Sequence, residues 1–298
     1  MVVVRKADAA GGPRCSVQGG RASGPARPGE VLVRHAAIGV NFVDTYYRSG
    51  LYPCSDCCLI PGNEAAGSWR RSEEALNISR WETGSSIHPP PVLTGPNVRW
   101  MLVRIPDGID DVTAAAVFLK GLTVRYLVTD SYLVSSGEFA LVHAAASRVG
   151  LLLGQWRASL AAVAIGVAGG PEKAALAAHH GYAHVIDYNS DDIVANVTRL
   201  TGVPLCAAAY DSVGRTTWRV SLACLRTRGT FVSFGQSSGP VTDFRVSDLA
   251  RGAFMGHPAK AFRFYSRTAG IAAEISGTVR EDPGWCSEGG CRDTASAL

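Results

Sequence analysis

The chain has 298 residues, of which 47% are hydrophobic and 18% are charged, and its formal net charge is +4. This balance supports a buried core of one large or two ordinary domains, and the small charge gives no reason to expect a nucleic-acid partner. Because no apolar run is expected to span a bilayer and the N-terminus lacks a signal-peptide core, we expect a cytoplasmic protein with no membrane partner.

The first third of the chain indicates β structure with an irregular insert. Residues 29–41 ("GEVLVRHAAIGVN") predict strand, and residues 61–67 ("PGNEAAG") predict turns. Residues 68–100 have no sustained period of 2 or 3.6 and contain three of the six tryptophans, so they are interpreted as a surface loop. A loop of that length is unusual inside a compact domain. Residues 108–128 predict helices.

From residue 139 strands and helices alternate. Strands are predicted at 139–143, 161–167, 184–188, 205–214 and 229–235, and helices at 149–160, 171–181, 190–202 and 216–225. Repeated βαβ units with almost continuously apolar strands predict a parallel, doubly wound sheet. The last residues, 280–298, are polar and glycine-rich and predict no element.

Three of the eight cysteines cluster in "YPCSDCCLIP", as Cys54, Cys57 and Cys58. A structural zinc site needs four ligands, and no second CxxC or nearby HxxxH completes this one. We therefore expect reduced thiols in a loop and not a metal site or disulfides.

The stretch "HAAASRVGLLLGQW" (143–156) has the form of a dinucleotide-binding turn between a strand and an apolar helix. Only Gly150 remains of the glycines expected in the turn, and Ser147 and Arg148 replace the others. If residue 148 needed a positive φ, arginine would cost about 1 kcal/mol or more there. The Arg148 side chain would either fill the space of a pyrophosphate or pair with a phosphate.

The second predicted strand bears on the choice of cofactor. An NAD-preferring site places an acidic residue near its end to hold the ribose hydroxyls. This chain instead has Gly169 and Gly170, followed by Pro171, Glu172 and Lys173. Lys173 is either a ligand of a 2′-phosphate or a solvated lysine on a helix face.

The sequence resembles the zinc-free quinone oxidoreductases, the zeta-crystallin type, of the medium-chain dehydrogenase/reductase superfamily. The matching segments are 36–53, 61–67, 118–127, 143–156, 169–177, 185–192, 210–218 and 233–239. With their connections they cover most of residues 29–67 and 104–245. Residues 68–100 and those beyond about 254 depart from the family pattern, through local frame changes in the coding sequence or through divergence.

The resemblance implies an α/β fold with a GroES-like β-rich domain and a Rossmann domain with a doubly wound parallel sheet. The expected boundaries are 1–117 for the GroES-like catalytic domain with an aberrant segment at 68–100, 118–255 for the NADPH-binding Rossmann domain, and 256–298 for a truncated or divergent return to the first domain. NADPH is expected in the cleft between the domains, and the protein is expected to form a homodimer through the edge strands of its Rossmann sheets.

The resemblance also assigns residues. Tyr46 and Tyr52 are expected to orient the acceptor. The residues expected to bind NADPH are Asn41, Phe42, Asp44, Thr45, Tyr46, Thr123, Tyr126, Arg148, Val149, Gly169, Gly170, Lys173, Tyr188, Val213, Gly235, Gln236, Ser237 and Ser238. No metal is expected, because Asn41 and Asn63 stand where zinc-dependent relatives have cysteine and histidine ligands, and asparagine is a poor zinc ligand.

The predicted function is therefore zinc-independent hydride transfer from NADPH to a quinone or a related enone or carbonyl acceptor. The alternative is a non-catalytic, crystallin-like NADPH-binding protein or an inactive divergent member of the family.

Overall fold

The computed structural model describes residues 3–6, 16–19, 32–52, 63–70, 91–95, 98–133, 135–203 and 205–258. These residues divide into two compact units between Leu119 and Lys120. The domain boundaries expected from the sequence stay a prediction. Residues 259–298, including most of the expected C-terminal return, lie outside the described residues, as do Cys54, Cys57 and Cys58.

The first unit contains antiparallel β structure. Strands β1 (Val3–Lys6) and β2 (Ser16–Gly19) pair with each other. A four-stranded antiparallel sheet has the order β3-β4-β5-β6, formed by β3 (Leu32–Gly39), β4 (Glu64–Arg70), β5 (Pro91–Gly95) and β6 (Val98–Arg104). Helix α1 (Phe42–Ser49) follows β3, and helix α2 (Asp111–Tyr126) follows β6. Ala66, Ile105, Ala114 and Ala115 form the buried core of this unit.

The interpretation of residues 68–100 as a surface loop is wrong for the described part of that segment. Strand β4 continues to Arg70, and β5 and the start of β6 complete the sheet. Pairing between backbones does not require alternating side chains, so these strands lack the periodic pattern that sequence analysis detects. Pro91 is compatible with strand structure because it is the first residue of β5.

The second unit is built on a six-stranded parallel sheet with the order β12-β11-β10-β7-β8-β9. The strands are β7 (Phe139–His143), β8 (Val163–Ala168), β9 (His184–Asp187), β10 (Cys206–Asp211), β11 (Leu225–Ser233) and β12 (Met255–Pro258). The helices are α3 (Arg148–Ser159), α4 (Pro171–His179), α5 (Ile193–Thr201) and α6 (Trp218–Ala223), and a 3-10 helix spans Val246–Gly252.

The predicted α/β fold with a parallel doubly wound sheet is confirmed, since each predicted strand and helix after residue 139 overlaps an observed one. The Asp192 side chain accepts a hydrogen bond from the Ala195 N–H and caps α5 where the sequence predicted a cap. Two features were missed. Strand β11 begins at Leu225, four residues before the predicted start, and β12 was not predicted.

Arg157 is a charged side chain buried in the core of the second unit. It is fully buried on α3, and its guanidinium carbon lies 4.5 Å from the centre of the Tyr210 ring. Among the described residues no well-formed hydrogen bond reaches its three side-chain nitrogens, although a weaker contact with the Tyr210 hydroxyl opposes the effect of burial on its pKa. Burial lowers the pKa of Arg157 below the usual arginine value.

Helix α2 continues into a π-helical turn, Leu127–Ser131. Within the described part of the chain, one helical segment, Asp111–Ser131, is long enough and apolar enough to cross a membrane. The sequence had predicted no apolar run of that kind. The segment is weak evidence for a membrane span, because Val124, Leu127 and Val128 are buried in the core of the second unit and a core helix meets the same criteria.

Candidate functional site

The turn after β7 has a regular helix start. Ser147 has φ −76° and is the N-cap of α3, and its hydroxyl accepts a hydrogen bond from the Gly150 N–H at 3.1 Å. Arg148 is the first helical residue and does not have a positive φ, so the cost considered for arginine in that conformation does not arise. The left-handed conformation instead belongs to Ala144, with φ 53°.

Gly150 permits a close contact between α3 and the turn. A Cβ atom at this position would lie within 2.5 Å of the carbonyl oxygen of Ala145 and still closer to that of Ala144. The carbonyl of Gly150 accepts a hydrogen bond of 2.7 Å from the buried Tyr182 hydroxyl. Val149, beside Gly150, is half-buried and packs against the core. The remaining glycine of the turn is thus the one whose missing side chain brings the helix N-terminus close to the sheet.

The end of β8 forms a second polar region. Gly170 donates its N–H to Asp187 Oδ1 at 2.9 Å, and this bond together with one from the Asn189 N–H lowers the pKa of Asp187. The Tyr188 ring lies against Gly169, where a Cβ would come within 2.5 Å of the Tyr188 hydroxyl. Lys173 is exposed in the first turn of α4. Gly169, Gly170, Lys173 and Tyr188 therefore lie around one end of the sheet, as their assignment requires.

Asp211 organises the loop after β10. Its carboxylate is fully buried at the end of the strand. Its Oδ1 accepts hydrogen bonds from the Val213 and Gly214 N–H groups, at 2.8 and 2.9 Å. The hydroxyls of Thr217 and Ser221 donate to Oδ2 at 2.7 and 2.9 Å. This one buried carboxylate fixes the loop that carries Val213.

The loop after β11 is fastened to the loop after β10. Both the N–H and the hydroxyl of Ser238 donate to the Val213 carbonyl, at 2.9 and 2.7 Å. Ser237 donates its N–H to the Ser212 carbonyl at 3.2 Å. Gly235 lies so close to Ser212 that a Cβ would come within 2.6 Å of the Ser212 carbonyl oxygen. The structure thus brings Val213, Gly235, Gln236, Ser237 and Ser238 together.

His143 is the last residue of β7 and lies next to Asp211, the last residue of the neighbouring strand β10. The register pairs Val142 with Tyr210 in the parallel strands β7 and β10, so His143 and Asp211 are the next neighbours along the two chains. His143 is 2% exposed, and its Nε2 has no hydrogen-bond partner among the described residues. Burial lowers the pKa of His143, and the Asp211 charge opposes that shift.

A network of amides and carboxylates lies in the first unit, where α1 meets the start of β4. Asn41 donates its side-chain N–H to Glu64 Oε1 at 2.8 Å, and Asn63 donates to Asp44 Oδ1 at 2.6 Å. Asp44 Oδ2 also accepts the Asn41 backbone N–H, and Glu64 Oε2 accepts the Leu119 N–H. Glu64 is fully buried, and Asp44 and Asn63 are less than a tenth exposed.

Helix α1 carries the aromatic residues expected at the acceptor. The Tyr46 and Tyr52 rings meet edge to face with centroids 5.2 Å apart, and the Tyr52 N–H donates to the Tyr46 carbonyl. Phe42 packs against Tyr46 on the other side, with 57% of its own surface exposed. Thr45 donates its hydroxyl to the Phe42 carbonyl at 2.6 Å. The two candidate tyrosines are therefore held together, on and just after one short helix.

Comparisons with known proteins agree with this architecture. The family described as "Zinc-binding dehydrogenase" matches residues 149–260. A quinone oxidoreductase of Pseudomonas aeruginosa is 44% identical over 240 residues, which cover 76% of this chain and 72% of that protein. The chain belongs to the quinone oxidoreductase family of the medium-chain dehydrogenases/reductases.

Two other members extend the comparison. A 2-haloacrylate reductase of a Burkholderia species is 35% identical over 246 residues, which cover 78% of this chain and 73% of that one. The crystal structure of Escherichia coli quinone oxidoreductase complexed with NADPH superimposes with a TM-score of 0.79 at 33% identity, covering 94% of this chain and 89% of that one. The predicted family is confirmed.

The family description raises the question of zinc, and the side chains at the two ligand positions do not fit a metal. Asn41 and Asn63 turn their N–H groups towards the carboxylates of Glu64 and Asp44. A cation there would meet amide hydrogens, which cannot act as ligands. The segment that matches the family, 149–260, contains neither position.

Most candidate residues of this quinone oxidoreductase family member fall into four groups: the residues on and just after α1, Arg148 and Val149 at the start of α3, the residues at the end of β8, and the two loops after β10 and β11. Thr123 and Tyr126 lie in the second half of α2, where Tyr126 is buried and Thr123 half-buried. Sequence analysis missed the supporting roles of Glu64 and Asp211. An acidic residue inside an apolar strand, as in "CAAAYD", is the signal that indicates a buried carboxylate with hydrogen-bond donors.

Proposed function

We propose that this chain is an NADPH-dependent oxidoreductase that reduces a quinone, or a related enone or carbonyl acceptor, without zinc. The observation that carries the proposal is the end of β8. No acidic side chain follows that strand at Gly169 or Gly170, and the exposed Lys173 opens the next helix. A cation at this place favours the extra phosphate of NADPH over the bare ribose of NADH.

The residues present fit the cofactor at each part of the second unit. Lys173 and Tyr188 would hold the 2′-phosphate and adenine, and the absence of a side chain at Gly169 lets the Tyr188 ring pack there. Arg148 and Val149, at the N-terminus of α3, would hold the pyrophosphate, because backbone N–H groups and the helix dipole favour an anion. The two fastened loops would hold the adenosine and the nicotinamide ribose.

The first unit is assigned the nicotinamide and acceptor end. Phe42, Thr45 and Tyr46 keep the role that the family resemblance gives them, together with Thr123 and Tyr126 from the part of α2 that lies in the second unit. Asn41 and Asp44 are assigned a supporting role, because the Asp44 carboxylate already accepts hydrogen bonds from Asn63 and from the Asn41 N–H. The bound cofactor supplies the hydride. The chain itself binds the acceptor, orients it and excludes water.

Tyr46 and Tyr52 orient the acceptor. Their edge-to-face contact limits the movement of both rings. Their hydroxyls can donate hydrogen bonds to an acceptor oxygen. Reduction leaves an oxyanion, and the proton it needs can come from solvent. We therefore assign neither tyrosine as an essential general acid.

Zinc independence is part of the proposal. It is supported by the amide–carboxylate network, in which the nitrogen atoms at both ligand positions already donate to Glu64 and Asp44. The acceptor oxygen is then polarised by hydrogen bonds and not by a metal.

The proposal extends to assembly and location. β12 is one of the two edge strands of the six-stranded sheet, and Met255 on it is 57% exposed. An exposed strand edge can pair with a second copy. We propose a homodimer joined at β12, to be tested by light scattering, in a cytoplasmic protein.

The test of the function is a steady-state assay with NADPH and 1,4-benzoquinone, followed by the loss of absorbance of the reduced cofactor. We expect turnover with NADPH, a slower rate with NADH, and no change after treatment with a chelator. A folded protein that binds NADPH but oxidises none of it with quinones or enones would refute the catalytic proposal.

A further inference from the structure

We propose that Asn63 is a positioning residue for the acceptor end of the site. It holds helix α1, through Asp44, where Tyr46 and Tyr52 are presented to the acceptor. This inference rests on the proposed function, since it assigns how one part of that site is kept in place.

The contact joins two elements of the first unit. Asn63 immediately precedes β4, and Asp44 lies in the first turn of α1. The Asn63 amide donates to Asp44 Oδ1 at 2.6 Å, and the other carboxylate oxygen accepts the Asn41 N–H at the start of the same helix. The Asp44 carboxylate is therefore bound on one side by its own helix and on the other by the sheet.

The contact with Asp44 determines how the Asn63 amide is oriented. Asn63 Oδ1 is buried and has no hydrogen-bond partner among the described residues. Rotating the amide by half a turn would place that oxygen against the Asp44 carboxylate, so two acceptors would face each other. The side chain thus keeps its N–H towards Asp44 although its oxygen is left without a partner.

The neighbouring residue makes a parallel contact. Glu64 accepts a hydrogen bond from the Asn41 side chain at 2.8 Å, so successive residues at the start of β4 hold successive parts of the start of α1. A Cβ on Gly39, at the end of β3, would collide with the Glu64 side chain and with the Ala115 carbonyl oxygen. The carboxylate of Glu64 has little space to follow a displaced helix.

A displacement of α1 reaches both tyrosines. The helix has eight residues, and Tyr46 lies two residues after Asp44. Tyr52 follows through its N–H bond to the Tyr46 carbonyl and through the ring contact. Because a misplacement of about 1 Å can cost about 10²-fold in rate, a small movement of α1 has a measurable effect on turnover.

The first variant is Asn63→Asp, which has nearly the same shape and replaces the donor by a second carboxylate. Two carboxylates at this distance cannot both stay ionised, so one of them has a raised pKa. At pH 8 we expect kcat/KM for quinone to fall about 10- to 100-fold relative to wild type. Towards pH 5.5 a proton shared by the two carboxylates restores a hydrogen bond between them. We therefore expect the kcat/KM of the variant to approach that of wild type at this pH.

The second variant is the exchange Asp44→Asn with Asn63→Asp. It restores one amide and one carboxylate with the donor and acceptor interchanged, and the amide oxygen at position 44 can still accept the Asn41 N–H. We expect kcat/KM to return to within about threefold of wild type, with the same pH dependence as wild type. If the single variant does not fold at pH 8, the exchanged pair is still expected to fold and turn over.

Ile105→Val is the matched control. Ile105 is 1% exposed in the core of the first unit, and its truncation weakens that core without touching the network. The control should leave kcat/KM unchanged, and the NADPH dissociation constant should stay within about threefold in every variant.

Inactive wild-type protein would refute the proposed function. Active wild type refutes the positioning role in either of two cases: Asn63→Asp retains full kcat/KM at pH 8, or the exchanged pair fails to recover it.

Discussion

Replacing Arg157 with methionine is expected to stabilise the second unit. The guanidinium is fully buried, and among the described residues its nitrogens have no well-formed hydrogen bond and a weaker contact with the Tyr210 hydroxyl. Methionine is close in length, adapts to irregular space and carries no charge. The substitution therefore removes a buried cation and keeps most of the volume of the side chain.

The size of the gain follows from two opposing terms. An ion in a protein interior carries an effective desolvation penalty of several kcal/mol. The Tyr210 ring below the guanidinium offsets this by about 2 kcal/mol. The net expectation is about 2 kcal/mol in the free energy of unfolding. For a unit of this size it corresponds to a rise in Tm of about 4–8 °C.

The lowered pKa of Arg157 also determines how the gain in stability depends on pH. Burial lowers the pKa of Arg157, so the native state disfavours its protonated form and the destabilisation is present throughout the range below the lowered pKa. Stability would recover only as the pH rises through that pKa towards the usual arginine value. The gain from Arg157→Met should therefore be constant at every pH below the lowered pKa.

Arg219→Met is the matched control, because Arg219 also stacks on an aromatic ring, at 4.2 Å from the centre of Trp218, but is exposed and paired with Asp243. Urea unfolding followed by circular dichroism measures both variants, and hydrogen exchange in β7 and β10 locates the effect in the second unit. We expect no stabilisation from Arg219→Met. If the free energy of unfolding of Arg157→Met falls by more than about 1 kcal/mol, the buried guanidinium stabilises the fold, and the prediction that its removal is stabilising is refuted.

Four further outcomes are expected. Lys173→Ala should raise the dissociation constant of NADPH and leave that of NADH unchanged, and an unchanged ratio of the two in a fluorescence titration would contradict the assignment. Elemental analysis should find no stoichiometric zinc; about one zinc per chain, lost in Cys57→Ser, would place a metal in the cysteine cluster. Ser147→Ala should lower the free energy of unfolding by about 1 kcal/mol through loss of the helix cap, and an unchanged urea midpoint would count against it. Burial alone would raise the pKa of Glu138, but hydrogen bonds from the Ser135 N–H, Arg226 and Tyr132 hold it below the usual value. Glu138→Gln should therefore destabilise the protein at pH 7, and the effect should disappear as the pH falls through the lowered pKa and both states become protonated.

The second unit was predictable from sequence because its chemistry is local. Apolar strands alternate with capped helices, and each signal lies within about ten residues of the element it defines. Strand β11 was shortened in the prediction because Arg226 to Arg228, which follow its first residue Leu225, are polar and at least partly exposed. β12 was missed because "MGHP" has neither β-branched residues nor alternation, and its pairing partner β11 lies more than twenty residues earlier.

The sequence predicts which residues belong to the candidate site, but it did not predict the hydrogen bonds that hold those residues in place. Family motifs identify Lys173 and Tyr46 by position along the chain. The contact between Asn63 and Asp44 joins residues nineteen positions apart and depends on how α1 packs on the sheet, which no local pattern specifies. The conformation of the turn was misjudged for a similar reason. Serine at position 147 satisfies the helix terminus by itself, so glycine is not needed for backbone freedom there.

The buried carboxylate of Asp211 limits how this protein can diverge. Its bonds to Val213, Gly214 and Thr217 require a fixed number of residues between the strand and α6, because one insertion would move a donor away from the acid. Arg215 and Thr216 lie within the same loop, are exposed and do not contact the carboxylate through a described bond. The length of this loop is therefore constrained, whereas the side chains at these two exposed positions can be substituted without inserting or deleting residues.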